Sequence, residues 1–352
     1  MSLRSTMIRD SISRGLVVIC AGALIAGCDQ TTGPGSGQDP AALRPLAKHD
    51  AGAPTATLLA SGLDGSLGSA IGPDGALYVA ETVPGRISRV DPRSGAITTF
   101  ASGLPPSPFG PGGAGVFDVA FIGNTAYAVV LGVGPDLGGT DIVGIYRVDG
   151  PSSFTVVADI GAFNIANPPE TDFFVPSGVP FALEPYRGGF LVTDGHLNRV
   201  LYVTLDGDIT IVIAFDNVVP TGLAMQGNKV YMAEAGPLPH LAQDGKVVTF
   251  GVKSPNATEV ASGAPLLVDV EFGHGNILYG LAQGHFTPGQ EPGSPADPNT
   301  GSLVAVNKDG TFTLVTDGLN QPTSLEFIKK TAYVVTLGGE IWKIEDVTKK
   351  SY

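Results

Sequence analysis

Only two cysteines occur in 352 residues, and one of them, Cys20, lies in an apolar leader. That leaves no pair of thiols for a disulfide in the exported body, and no cysteine cluster for a metal. Charge is also scarce, at 15 % of residues, and basic charge scarcer still: 20 lysines and arginines face 33 carboxylates, for a net −13. So acidic a body repels phosphate backbones, which argues against nucleic acid as a partner. Helical periodicity is missing as well, because no segment past residue 55 sustains a 3.6-residue apolar period between caps. There is no Gly-x-Ser-x-Gly, no phosphate loop, no dinucleotide fingerprint, no His-x-x-x-His and no EF-hand spacing.

What is abundant is glycine and proline, 49 and 28 residues, without a period of three. They punctuate short runs of Val, Ile, Leu, Tyr and Phe, which is the pattern of many strands joined by turns. Apolar residues make up 43 % of the chain, ample for a core.

The N-terminus reads as an address. Three arginines within residues 1–14 precede an apolar stretch, residues 15–27, that is too short to span a bilayer as a helix and has the form of a signal peptide. The run Ile25-Ala26-Gly27-Cys28 resembles the bacterial lipobox. The resemblance implies cleavage before Cys28 and acylation of that cysteine, with two or three chains giving a durable anchor. The expected partner is thus membrane lipid, and the expected location is the cell membrane, facing the periplasm or exterior. Asp29 resembles an inner-membrane retention signal of enteric bacteria. Residues 28–54 form a Gly/Pro/Ser-rich tether, residues 55–347 the folded body, and residues 348–352 a tail.

The body repeats itself. A tight turn and apolar strand recur as Gly75-Ala-Leu-Tyr-Val-Ala-Glu81, Asn124-Thr-Ala-Tyr-Ala-Val-Val130, Gly189-Phe-Leu-Val-Thr-Asp194, Asn228-Lys-Val-Tyr-Met-Ala-Glu234, Asn276-Ile-Leu-Tyr-Gly-Leu-Ala282 and Thr331-Ala-Tyr-Val-Val-Thr336. Their spacing of roughly 40 to 65 residues suits four strands per unit. A further strand follows each, and several outer strands end in a shared phrase, as in Ala101-Ser-Gly-Leu104 and Ala261-Ser-Gly263. The sixth unit lacks an outer strand, whereas Thr57-Leu-Leu-Ala-Ser-Gly-Leu63 is an outer strand with no unit before it. A ring resolves both orphans and buries an open edge. The predicted fold is all-β: a six-bladed β-propeller whose N-terminal strand closes the last blade. The recurring tyrosines Tyr78, Tyr127, Tyr231, Tyr279 and Tyr333 read as inter-blade core.

Alternation of strand direction places the long loops on one face, the top: residues 105–114, 132–141, 161–177, 235–244 and 284–300. Long loops in compact folds carry function disproportionately. Glu81, Asp194, Glu234 and Gln283 stand at the top end of equivalent strands. His196 and His285 follow in the matching phrases Asp194-Gly-His196 and Gln283-Gly-His285, His240 lies in a top loop, and Asp118 and Asp269 are expected toward the channel mouth. Carboxylates and imidazoles together suit a divalent cation, calcium or magnesium, or acid–base work, although binding alone requires no cofactor. The Asn256-Ala-Thr258 sequon reads as an ordinary turn.

The runs Val219-Pro-Thr-Gly-Leu-Ala, Val230-Tyr-Met-Ala-Glu-Ala235 and Leu267-Val-Asp-Val-Glu-Phe272 are similar to the ScyD/ScyE family, as is Asp194-Gly-His-Leu-Asn-Arg-Val-Leu201. The resemblance covers most of residues 55–347 and implies a propeller akin to NHL and SMP-30-like ones. Gluconolactonases and streptogramin lyase, enzymes on related propellers, carry metal or His/Glu constellations that do not map onto this sequence in order. The expectation is therefore a tethered, non-catalytic binding or scaffold protein that presents its top face to an unidentified protein or small molecule. The alternative is a metal-assisted lyase or lactone hydrolase in the propeller mouth.

Overall fold

The computed structural model describes residues 54–348 apart from Pro292. The leader, Cys28 and the tether up to residue 53 lie outside the described residues. Within them the chain forms six four-stranded antiparallel sheets.

After the closing strand β1 (Ala56–Ser61), blade 1 comprises β2 (Ser66–Ile71), β3 (Leu77–Glu81), β4 (Arg86–Val90) and β5 (Ile97–Ser102). Blade 2 is β6 (Gly115–Ile122), β7 (Thr125–Leu131), β8 (Gly144–Gly150) and β9 (Ser153–Asp159). A short helix, α1 (Ile160–Ala166), leads into blade 3: β10 (Pro180–Tyr186), β11 (Gly189–Asp194), β12 (Arg199–Thr204) and β13 (Ile209–Ala214). Blade 4 is β14 (Pro220–Gln226), β15 (Lys229–Glu234), β16 (Lys246–Gly251) and β17 (Ser254–Ser262). Blade 5 is β18 (Leu267–Phe272), β19 (Leu278–Ala282), β20 (Gly301–Val306) and β21 (Phe312–Leu319). Blade 6 supplies β22 (Pro322–Ile328), β23 (Thr331–Thr336) and β24 (Glu340–Ile344), and β1 completes it.

The closure is as predicted. Ala56 pairs with Ile344 and Ser61 with Glu340, and the amides of Gly62 and Leu63 both donate to Gly339 O. The Ser-Gly-Leu phrase now has a physical reason. Its glycine ends the outer strand at positive φ, 98° at Gly62 and 96° at Gly103, and the following leucine turns inward, with Leu63 and Leu104 both buried. The glycine that opens the facing strand must lack a side chain, because a Cβ on Gly339 would sit 1.9 Å from Leu63 O, and one on Gly85 2.0 Å from Leu104 O.

The recurring tyrosines do pack between blades. Tyr78 meets Phe121 edge-on at 4.8 Å, Tyr127 lies 4.9 Å from Phe190, Tyr231 5.1 Å from Phe272 and Tyr279 4.9 Å from Phe327. Each pair joins one blade to the next and adds to the burial of its own area. Helix α1 is the one α-helix among the described residues, and the sequence reading has only loop there. Seven residues are too few to show a period, and Asp159 caps the turn by accepting from Ala162 N.

The inner strands share an irregularity. In all six the register shifts near the N-terminal end, between Ser66 and Ser69, Val116 and Asp118, Pro180 and Leu183, Pro220 and Leu223, Leu267 and Asp269, and Pro322 and Ser324. Bulges re-aim the side chains that follow them. Here they set what faces the axis.

Candidate functional site

The residues singled out from sequence fall in two regions, the long-looped top face and the central channel.

On the top face, Glu81, Asp194 and Gln283 at the strand ends are held by hydrogen bonds to neighbouring strands and loops. Glu81 is fully buried and receives Arg86 Nε at 2.7 Å, Arg86 Nη2 at 2.6 Å, Ser88 Oγ at 2.5 Å and the amide of Asp64 at 2.8 Å. Asp194, also fully buried, accepts the amides of Val179, His196 and Leu197, while its other oxygen takes Asn164 Nδ2 at 2.7 Å. Asn164 passes the contact on, accepting Arg199 Nη2 at 2.8 Å, and Arg199 Nη1 donates to Asn167 O. This network buries an arginine, whose pKa burial pulls down while Asp194 supports its charge.

His196 Nε2 accepts two amides, Phe174 at 2.8 Å and Val175 at 3.0 Å, which assigns its proton to Nδ1. With that nitrogen occupied, His196 holds the 161–177 loop and cannot offer Nε2 to a metal. His240 Nδ1 lies 2.7 Å from Gly236 O, and its ring stands edge-on to Phe286. Gln283 Oε1 accepts the amide of Ala296 at 2.9 Å, fixing the 284–300 loop. His285 is exposed on that loop, where its backbone bonds to Thr300 and Asp297. Glu234 is buried, and burial first, then Glu259, raises its pKa to about 7 against the pull of Lys246. Glu81, Glu234 and Gln283 occupy equivalent places on blades 1, 4 and 5 and so are spread around the ring. Among the described residues no three carboxylates, imidazoles or thiolates converge on a point that would hold a metal ion.

Asp118 and Asp269 are brought together, though along the channel wall. Asp118 Oδ1 accepts Val119 N and Oδ2 accepts Leu183 N in the next blade, both at 2.8 Å. Asp269 does the same with Val270 N and Leu325 N, again at 2.8 Å. Each aspartate staples its blade to the following one. In the preceding blade stands a glycine whose Cβ would collide with it: Gly68 at 2.1 Å from Asp118 Oδ1, Gly222 at 2.3 Å from Asp269 Oδ1. The ring thus repeats after half a turn.

The cavity between the inner strands, about 340 Å³, also receives Glu184, Glu271 and Glu326. None of these three was singled out from sequence. Yet Glu271 follows Asp269 by two residues, and side chains two apart share a face of a strand; that signal was legible. Burial raises all five carboxyls: Asp118, Glu184 and Glu326 well above the usual range, Asp269 to about 7 and Glu271 to about 8. Mutual repulsion adds to it, Glu271 acting on Glu184 and Glu326, and Asp269 on Glu271. Among the described residues no lysine or arginine lines the cavity. Exposure along the inner strands rises toward the tight-turn face; their first residues are buried in every blade.

Fold and site together define a six-bladed propeller with braced top loops and an acidic channel. Its likeness to solved structures is of that kind. The virginiamycin B lyase from Staphylococcus aureus matches with a TM-score of 0.52 at 14 % identity, over 83 % of this chain and 98 % of that one. A gluconolactonase from Xanthomonas campestris matches with a TM-score of 0.57 at 12 % identity, over 83 % and 89 %. A luciferin-regenerating enzyme gives 0.55 at 12 %, over 85 % and 97 %. At such identities the likeness is one of fold. No family model and no curated protein matches the chain.

Proposed function

We propose that this protein is a non-catalytic binding or scaffold protein, a ScyD/ScyE-like propeller held at the membrane through acylated Cys28, and that its top face receives the partner. One observation carries the reading. Of the nine large hydrophobic side chains exposed among the described residues, five lie on top-face loops: Ile142, Ile165, Phe173, Phe174 and Leu241. Three of these belong to the loop that Asp194, Asn164 and His196 hold down. Exposed apolar side chains on a braced loop meet water at a standing cost, which a partner covering them would relieve. The bracing lowers the entropy lost on binding. On that face Glu81, Asp194, His196 and Gln283 are meanwhile engaged in hydrogen bonds to neighbouring strands and loops.

A photo-crosslinking residue placed at Phe174, in cells making the protein, is expected to yield a discrete adduct. The same residue at Ile211, exposed on an outer strand, is expected to yield none. Equal adducts, or none from Phe174, would sink the reading.

The second reading places chemistry in the channel, where five carboxyls share one cavity with perturbed proton affinity. Proton-sharing carboxyls suit acid–base work on a lactone or a leaving group. Turnover of a lactone panel, abolished by Glu271→Gln with the fold intact, would favour it over pure binding.

A further inference from the structure

The chain is acidic, yet its tight-turn face holds a cationic groove. Four of its 20 lysines and arginines, Arg89, Arg93, Lys329 and Lys330, line one cavity of about 820 Å³ between blades 6 and 1, with His274 also in the lining. The two acids of the groove are both engaged. Asp74 Oδ2 receives Arg89 Nε at 2.7 Å, and Asp91 Oδ1 receives the amides of Arg93 and Ser94. No ion pair occupies Arg93, Lys329 or Lys330 among the described residues. The walls are fixed, because Tyr333 Oη in blade 6 donates to Pro92 O in the blade 1 turn at 3.2 Å.

The turn itself provides an independent argument. Blades 2 and 4 join their first two strands through Gly123-Asn124 and Gly227-Asn228, with the glycines at φ 60° and 64°. Blade 6 uses Lys329-Lys330 at the same place, with Lys329 at φ 60°. Glycine adopts that left-handed backbone freely, whereas an L side chain resists it. Lys329 therefore stands where glycine would turn more freely, as Arg187 does at φ 47° in the equivalent turn of blade 3; blade 6 differs in following it with a second lysine, and strain of this kind collects at functional positions.

We propose that this groove binds a phosphoryl group. Several cations on fixed turns suit a compact multiply charged oxyanion, whereas one arginine suffices for a carboxylate. The acidic body around the groove turns away a long polyanion. A small phosphorylated compound or a phospholipid headgroup would supply the group, and strand β1 enters the fold on this same face, pairing Ala56 with the end of β24.

The test uses the full chain carrying Cys28→Ser, so that no acyl chain confounds it, with and without Lys329→Gly/Lys330→Asn. That variant installs the turn of blades 2 and 4, so its melting temperature is expected to stay level or rise. Calorimetry with inorganic pyrophosphate is one arm. Sedimentation with vesicles of phosphatidylglycerol, against phosphatidylcholine, is the other. A loss of at least tenfold in affinity on either arm supports the proposal, the pyrophosphate arm naming a soluble ligand and the vesicle arm a headgroup. Absence of binding on both arms, or equal binding by the variant, overturns it.

Discussion

Raising the pH from 5.5 to 8.5 is expected to destabilise this protein, and the channel carboxyls set the size of the effect. Asp269 titrates at about 7 and Glu271 at about 8 in the folded state, against about 4 in an unfolded chain. The native state therefore holds these protons more tightly. The stability they confer is complete below about pH 4 and is lost as pH climbs through the folded values. Above pH 5.5, Asp269 loses the remaining half of its shift and Glu271 most of its own. At about 1.36 kcal/mol per unit, halved because both side chains touch channel water, the pair loses on the order of 3 kcal/mol. For a domain of this size that is about 6 °C in melting temperature. Asp118, Glu184 and Glu326 are displaced in the same direction. Surface acids such as Asp74 and Glu259 are displaced downward, by Arg89 and Lys246, and protect only the acid side. Maximum stability is thus expected near pH 5 to 6. Thermal melts by circular dichroism from pH 5 to 9 check this. By the same reckoning Glu271→Gln should raise the melting temperature by about 5 °C at pH 8.5 and by only about 2 °C at pH 5.5. A melting temperature that is flat or rises with pH, or a Gln effect equal at both ends, would refute the reasoning.

Three further substitutions test the architecture. Asp194→Ala removes an acceptor from three amides and from Asn164 and leaves buried Arg199 without its counter-charge. It should cost about 3–5 kcal/mol, with faster hydrogen exchange through residues 160–179; unchanged protection there would contradict the bracing role. Gly68→Ala drives a Cβ against Asp118 and should cost about 2 kcal/mol or more. Gly188→Ala, with nothing within 4 Å of the new carbon but φ at 78°, should cost about 1 kcal/mol. Urea denaturation separates the two, and equal losses would remove the half-turn packing argument.

The sequence alone determined the ring. Strand repeats, turn glycines and the orphan outer strand near Leu58 are local features, each readable from backbone preference and period-two burial, and ring closure follows from counting them. The Ser-Gly-Leu phrase was likewise visible, since its glycine takes a positive φ, while the carbonyl of its leucine leaves room only for glycine at the start of the facing strand. What the polar residues do was decided by tertiary structure. Asp194 and His196 looked like a candidate acid and base, but which hydrogen bonds they make depends on where the 161–177 loop folds back. Glu184, Glu271 and Glu326 come from three blades and form one cluster only because the ring brings their strands to a common axis. Arg93 and Lys330 are more than 200 residues apart in the chain and share a groove because β1 closes blade 6 beside blade 1. Local physics fixes elements; the charge a side chain feels is set by neighbours that the linear order does not name.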